Sequence, residues 1–108
     1  MQTTELLHGT LDTLILKTLA AGPLHGYGIA RTIEEATAQV ILIEEGSLYP
    51  ALYRAERKGW VQAEWRLSDL GRRAKFYRLT PRGRKRLAEQ IAEWARFSAA
   101  VSGVLLVT

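Results

Sequence analysis

Leu87, Ile91, Trp94, Ser98, Val101 and Leu105 recur at spacings of 4, 3, 4, 3 and 4 residues. That is the pattern of a helix whose apolar seam faces a second helix. Thr80-Pro81 marks its start, since threonine caps well and proline suits the first helical position, where an N–H would go unused anyway. A chain of 108 residues is one domain's worth, and one this size buries only about two thirds of the surface its unfolded form exposes. The stripe therefore reads as an oligomer interface, with Trp94 as its core aromatic.

The segments before it divide at glycine and proline. Leu11, Leu14, Ile15, Thr18 and Leu19 trace one face of a first helix, which Ala21-Gly22-Pro23 ends. A second helix is expected from Leu24 or His25 to about Thr37, with Tyr27, Ile29, Ala30 and Ile33 on its apolar face. Gly26 and Gly28 weaken its first turn, which suggests a close backbone approach there. Val40 to Ile43 reads as a short extended segment. A third helix is expected from Ser47, as N-cap, to Lys58, with Pro50 inside its first turn. Leu48, Ala51, Leu52 and Ala55 form its inward stripe, leaving Tyr49, Tyr53, Arg54, Arg57 and Lys58 to point elsewhere. Residues 60–67 and 75–80 read as two strands joined by a turn, 68–73, that carries Gly71, Arg72 and Arg73. Trp60 and Trp65 read as core and hairpin-packing residues.

The charge is distributed unevenly. The chain carries a net +4, yet residues 54–86 hold twelve Lys and Arg against three acids. Such a concentration is the electrostatic footprint of a polyanion binder, or else a solvated basic surface. There are no cysteines, which excludes disulfides, cysteine–zinc sites and thiol catalysis. Neither His8 nor His25 has metal-ligand spacing, and no nucleophile elbow, phosphate loop or dinucleotide fingerprint is present. No cofactor is expected and the chain does not read as an enzyme. Met1–Glu5 lacks the basic start of a secretory signal, and the apolar run 101–107 is shorter than the about 20 residues of a membrane span.

The order helix, helix, helix, hairpin, long helix, with an outward basic third helix and a basic hairpin tip, is what a winged helix-turn-helix needs. Its third helix, about 10–12 Å across, fits the roughly 12 Å major groove. Here the residues resemble the PadR-like transcriptional regulators, in the short variety with a single C-terminal helix. The resemblance is carried by Gly9-Thr10-Leu11-Asp12, His25-Gly26-Tyr27-Gly28-Ile29, Gly46-Ser47-Leu48-Tyr49-Pro50-Ala51-Leu52, Lys58-Gly59-Trp60-Val61 and the run from Arg72 to Thr80 with Gly83. It implies a mostly α fold with a small β-hairpin: a winged helix-turn-helix over residues 1–80 and a dimerisation helix over 81–108. It also implies a cytoplasmic bacterial repressor, associated with the nucleoid when bound. The homodimer would be held by the last helix with help from the first, which brings in Leu11 beside Leu87, Ile91, Trp94, Ser98, Val101 and Leu105.

The partner expected is double-stranded DNA, bound at a pseudo-palindrome. Arg54 is the candidate for reading a guanine edge, because a guanidinium can bond O6 and N7 together; contact to phosphate alone is the other reading. Tyr49 and Tyr53 face the groove, or Tyr49 packs on the second helix. Ser47 caps the helix, contacts phosphate, or both, and Pro50 on the same helix is expected among the DNA contacts. His25 and Tyr27 are backbone contacts by the resemblance and a structural turn otherwise. Lys58, on the same outward side, is expected as a groove or phosphate contact. Arg72, Arg73 and Lys75 crowd a hairpin tip, where like charges repel unless something neutralises them. Arg82, Arg84, Lys85 and Arg86 crowd a helix start, the end that disfavours cations. In some PadR-like proteins, aromatic side chains of the last helices line a cavity for flat hydrophobic or phenolic molecules, and Trp94 is the residue placed to do so here. Two other functions compete: a ligand-sensing module built on that cavity, and an adaptor using the basic hairpin against an acidic protein.

Overall fold

The computed structural model describes residues 9–107; the readings of Met1–Glu5 and His8 lie outside them. The described elements are α1 (Leu11–Leu19), β1 (Leu24–His25), α2 (Gly26–Ala36), α3 (Glu45–Arg57), β2 (Val61–Leu67), β3 (Arg73–Leu79) and α4 (Pro81–Leu105). The strands form one antiparallel sheet in the order β1-β3-β2, with Leu24 opposite Tyr77 and Val61 opposite Leu79.

The core gathers one stripe from each element. Ile15, Leu16 and Leu19 of α1, Ile29 and Ile33 of α2, and Leu48, Ala51, Leu52 and Ala55 of α3 meet Val61, Tyr77 and Leu79 of the sheet. The expected start of the last helix holds: Thr80 is the N-cap, its Oγ1 accepts from the N–H of Gly83 at 2.9 Å, and Pro81 opens the helix.

Local departures have physical causes. Leu24 and His25 do not begin a helix; they pair with Tyr77 and Phe76 as β1, and the helix starts at Gly26 with His25 as N-cap. Tyr27 is 64 % exposed and so is not on the apolar face of α2. Val40–Ile43 is irregular. After α2 the chain passes through two left-handed residues, Ala38 and Gln39. The N–H groups of Ile41 and Ile43 then donate to Thr37 Oγ1 and Glu34 Oε2, at 3.2 and 2.9 Å. Side chains thus take the donors that a neighbouring strand would have used. α3 begins at Glu45 with Glu44 as N-cap, because the N–H groups of both Ser47 and Leu48 already donate to the Glu44 carbonyl. Ser47 is therefore inside the helix rather than its cap. Pro50 falls beyond the first turn, where its missing N–H leaves the Gly46 carbonyl without a helical donor. The strands run 61–67 and 73–79 rather than 60–67 and 75–80.

Leu11 and Leu87, expected at a dimer interface, are each 7 % exposed and belong to the core of the chain itself. α4 therefore has two parts. Gly83, Leu87 and Gln90 face its own domain, and from Ile91 onward Ile91, Trp94, Phe97 and Leu105 are exposed.

Candidate nucleic-acid interface

The inward stripe of α3 fixes what its other sides present. At 100° per residue, Pro50 and Arg57 stand opposite that stripe. Tyr49, Tyr53 and Glu56 lie on the flank toward the hairpin, and Ser47, Arg54 and Lys58 on the flank toward α1. The hairpin sorts its side chains by alternation. Trp65, Arg73, Lys75 and Tyr77 turn toward α3, where Lys75 Nζ sits 3.5 Å from Glu56 Oε1. On the other face, Arg66 lies over the Phe76 ring at 4.2 Å and Arg78 bonds Gln62.

Between α2, α3 and the hairpin runs an open groove of about 680 Å³. It brings together His25, Tyr27, Tyr49, Tyr53, Arg72, Arg73 and Lys75 from the expected contact set, with Glu56, Trp65 and Tyr77 beside them. Ser47, Pro50, Arg54 and Lys58 are not among its lining. Arg54 turns to α1, its Nη2 3.4 Å from Asp12 Oδ1. Lys58 places its ammonium 4.9 Å from the centre of the Trp60 ring. Pro50 is exposed on the outer side of α3.

Several groove residues are held by something nearby. His25 caps α2, its Nδ1 accepting from the N–H of Gly28 at 2.9 Å, and its ring meets Phe76 edge-on at 5.2 Å. The capping bond puts the ring proton on Nε2, which leaves Nε2–H as the donor available to a phosphate. The close approach suggested by the glycines is at Gly26, where any Cβ would stand 2.6 Å from the Tyr49 hydroxyl. Tyr49 thus packs on the start of α2 while keeping an exposed edge. Arg73 lies over Trp65 at 5.3 Å. Among the described residues neither Arg72 nor Arg73 has an acidic partner. Burial, with the Glu56 carboxylate and Tyr49 nearby, pushes the Tyr77 phenol above its ordinary range.

The cations at the start of α4 divide. Arg86 is paired with Glu89 and Glu93 at 3.2 and 3.7 Å and lies over Trp60; Arg82, Arg84 and Lys85 are exposed. Some groove residues escape the sequence reading, Glu56, Trp65 and Tyr77 among them. Glu56 is the i+7 neighbour of Tyr49, and that spacing could have found it; Trp65 and Tyr77 needed the hairpin's facing. Arg57, the i+7 neighbour of Pro50, projects from α3 more directly than Arg54 and lies over the Tyr53 ring at 5.7 Å. No helix among the described residues is long and apolar enough to cross a membrane.

Residues 15–89 match the family model described as the transcriptional regulator PadR-like family. A protein of Lysinibacillus sphaericus is 34 % identical over 88 % of this chain and 87 % of its own length. A transcriptional regulator of Mycobacterium tuberculosis is 37 % identical over 69 % of this chain and 66 % of its own. Among solved structures, a transcriptional regulator from Clostridium thermocellum superposes with a TM-score of 0.86 at 29 % identity, covering 94 % of this chain and 98 % of that one. A PadR-like regulator from Bacillus cereus gives 0.81 at 26 % identity over 96 % and 99 %. The helices, the winged hairpin and the long last helix are thus those of a transcriptional regulator and not of an enzyme, and the chain belongs to the PadR-like family.

Proposed function

We propose that the chain is a sequence-specific repressor that binds a pseudo-palindromic operator in double-stranded DNA as a homodimer, with residues 1–80 on the DNA and 81–108 joining the subunits. The observation that carries this reading is the groove between α3 and the hairpin, where tyrosines face outward together with two arginines that have no acidic partner among the described residues. In this reading Tyr49, Tyr53 and Arg54 approach base edges, while Ser47, Pro50 and Lys58 border the backbone. His25, Tyr27, Arg72, Arg73 and Lys75 hold phosphates. Selection from a random DNA library tests it. The expected product is a two-fold symmetric site whose half-sites lie one helical turn apart, about 34–36 Å. Retention of DNA without an enriched motif would leave charge-driven binding alone and overturn it.

The dimer half of the proposal rests on the exposed part of α4, where Trp94 is 53 % and Phe97 63 % exposed on one helix. Ser98, Val101 and Leu105 continue that side. A charge in such a seam must be desolvated to associate, which costs several kcal/mol per unpaired ion, by order of magnitude. Trp94→Glu is therefore expected to sediment as a monomer at micromolar concentration, where the parent chain sediments as a dimer. It should also lose operator affinity, since two half-sites then bind independently.

One feature supports a second, compatible reading, in which a planar hydrophobic or phenolic effector binds between the subunits. Trp94 and Phe97 form an aromatic pair, centroids 6.4 Å apart, on that exposed side. Tryptophan quenching by planar aromatics that Trp94→Ala abolishes would support it; no response across a panel would overturn it.

A further inference from the structure

We propose that Asp12 is a positioning residue for base recognition: its carboxylate holds the Arg54 guanidinium in the orientation from which that side chain reads a guanine. The inference rests on the DNA-reading role proposed above for α3.

Arg54 does not line the groove that gathers most of the candidate contacts. It stands on the opposite flank of α3, and the group that meets it comes from 42 residues earlier in the chain. Asp12, in the first turn of α1, brings Oδ1 to 3.4 Å from Arg54 Nη2. A guanidinium has five N–H donors in a planar fork, and this contact occupies one of them. The Arg54 side chain is still 54 % exposed, and Nη2 carries a second N–H, so one edge of the fork is left for a bidentate contact. A guanine edge offers two acceptors, O6 and N7. The fork can therefore be held by Asp12 from one side and engage a base from the other.

The alternatives are weaker. An ion pair exposed to this degree contributes little to stability, so a purely structural tie would have little effect. Nor is Asp12 neutralised from elsewhere, since among the described residues no other cation pairs with it. A bare carboxylate beside the DNA-facing helix would repel phosphate whatever the sequence. Its compensation is selectivity: a long, flexible arginine fixed at its tip distinguishes a base edge from a nearby phosphate, whereas a free one takes whichever acceptor is closer.

The test uses the full chain and the operator that the parent protein selects. Affinity is measured for every single-base change in one half-site, for the parent, Asp12→Ala, Asp12→Asn, Arg54→Ala and the Asp12→Ala/Arg54→Ala double variant, with thermal unfolding as the check on folding. Asp12→Ala is expected to lose about tenfold discrimination at one position, the scale of one bidentate arginine–guanine contact. Asn should lose less, and the other positions should keep their preferences. Arg54→Ala should flatten the same position, and the double variant should flatten it no further, as befits two groups acting as one unit. If Arg54→Ala flattens a position that Asp12→Ala leaves intact, Arg54 reads DNA but Asp12 does not position it. If Asp12→Ala tightens binding to all sequences equally, Asp12 is only a repelling charge and the proposal fails. If Arg54→Ala leaves every preference unchanged, the reading role of Arg54 itself falls, and the inference with it.

Discussion

Gly83→Ala is expected to destabilise the fold by about 3 kcal/mol, the upper part of the range for overpacking a tight site, and to lower the melting temperature by roughly 15 °C. A Cβ on Gly83 would run into the Trp60 carbonyl oxygen, with the Leu79 Cδ1 at 2.7 Å and the Trp60 carbonyl carbon at 2.9 Å. Main-chain atoms cannot swing away as a side-chain tip can. They are also tied in place: Thr80 N–H donates to the Trp60 carbonyl at 3.0 Å, and Thr80 Oγ1 donates to the Gly59 carbonyl at 2.6 Å while accepting from Gly83 N–H. The first turn of α4 therefore lies directly on the chain that links α3 to the wing. Lifting it would break the cap and withdraw Leu87 from the core together. Gly103→Ala is the control. It lies on the same helix with nothing within 4 Å of its Cβ, and should stabilise by up to about 1 kcal/mol through helix propensity alone. Scanning calorimetry at one fixed protein concentration separates them. A fall of less than about 3 °C for Gly83→Ala, below the shift expected even for 1 kcal/mol, would mean that the contact relaxes and that α4 is docked loosely.

The start of α4 was legible in the sequence because Thr80 and Pro81 act locally, through one hydrogen bond and one fixed dihedral angle. The inward stripe of α3 and the hairpin were legible for the same reason, since periodicity needs no knowledge of the partner surface. What escaped depends on distant contacts. β1 is two residues long, and only its pairing with Tyr77 and Phe76, some fifty residues later, makes it a strand. Ser47 looked like a cap, but Glu44 and Glu45 start the helix one turn earlier, and residue type alone does not rank adjacent start points. The 4-3 spacing that includes Leu87 and Ile91 is continuous in sequence. The core ends and the exposed seam begins between them, and only the position of α1 and the sheet fixes that point. Arg54 was recognised as an outward basic residue of the third helix, but its contact with Asp12, 3.4 Å away, joins residues that no local pattern connects.

Removing the three wing cations together, as Arg72→Ala/Arg73→Ala/Lys75→Ala, is expected to weaken operator binding by roughly two to three orders of magnitude at 0.1 M salt. The estimate follows from counterion release: each neutralised phosphate contributes about 0.9 to the slope of log K against log salt, so three contacts contribute about 2.7 log units between 1 M and 0.1 M. The three are not equivalent. Among the described residues Arg72 and Arg73 have no acidic partner, and removing them should reduce the slope by nearly the full amount each. Lys75 neutralises Glu56 across the groove at 3.5 Å, so Lys75→Ala also bares a carboxylate toward the DNA. Lys75→Ala/Glu56→Gln should then recover part of the loss. Glu56→Gln alone should bind DNA more tightly than the parent chain, because it frees Lys75 for phosphate. None of these exposed or half-exposed side chains lies in the core, so stability should shift by no more than about 0.5 kcal/mol. Binding isotherms at four salt concentrations test both parts. A slope unchanged in the triple variant would take the wing off the DNA backbone and leave the tyrosine face of α3 as the whole interface. A slope reduced by about 2 rather than 3, with Glu56→Gln tightening binding, would mean that Lys75 serves in the free protein to hold the wing against α3 and reaches phosphate only once Glu56 releases it.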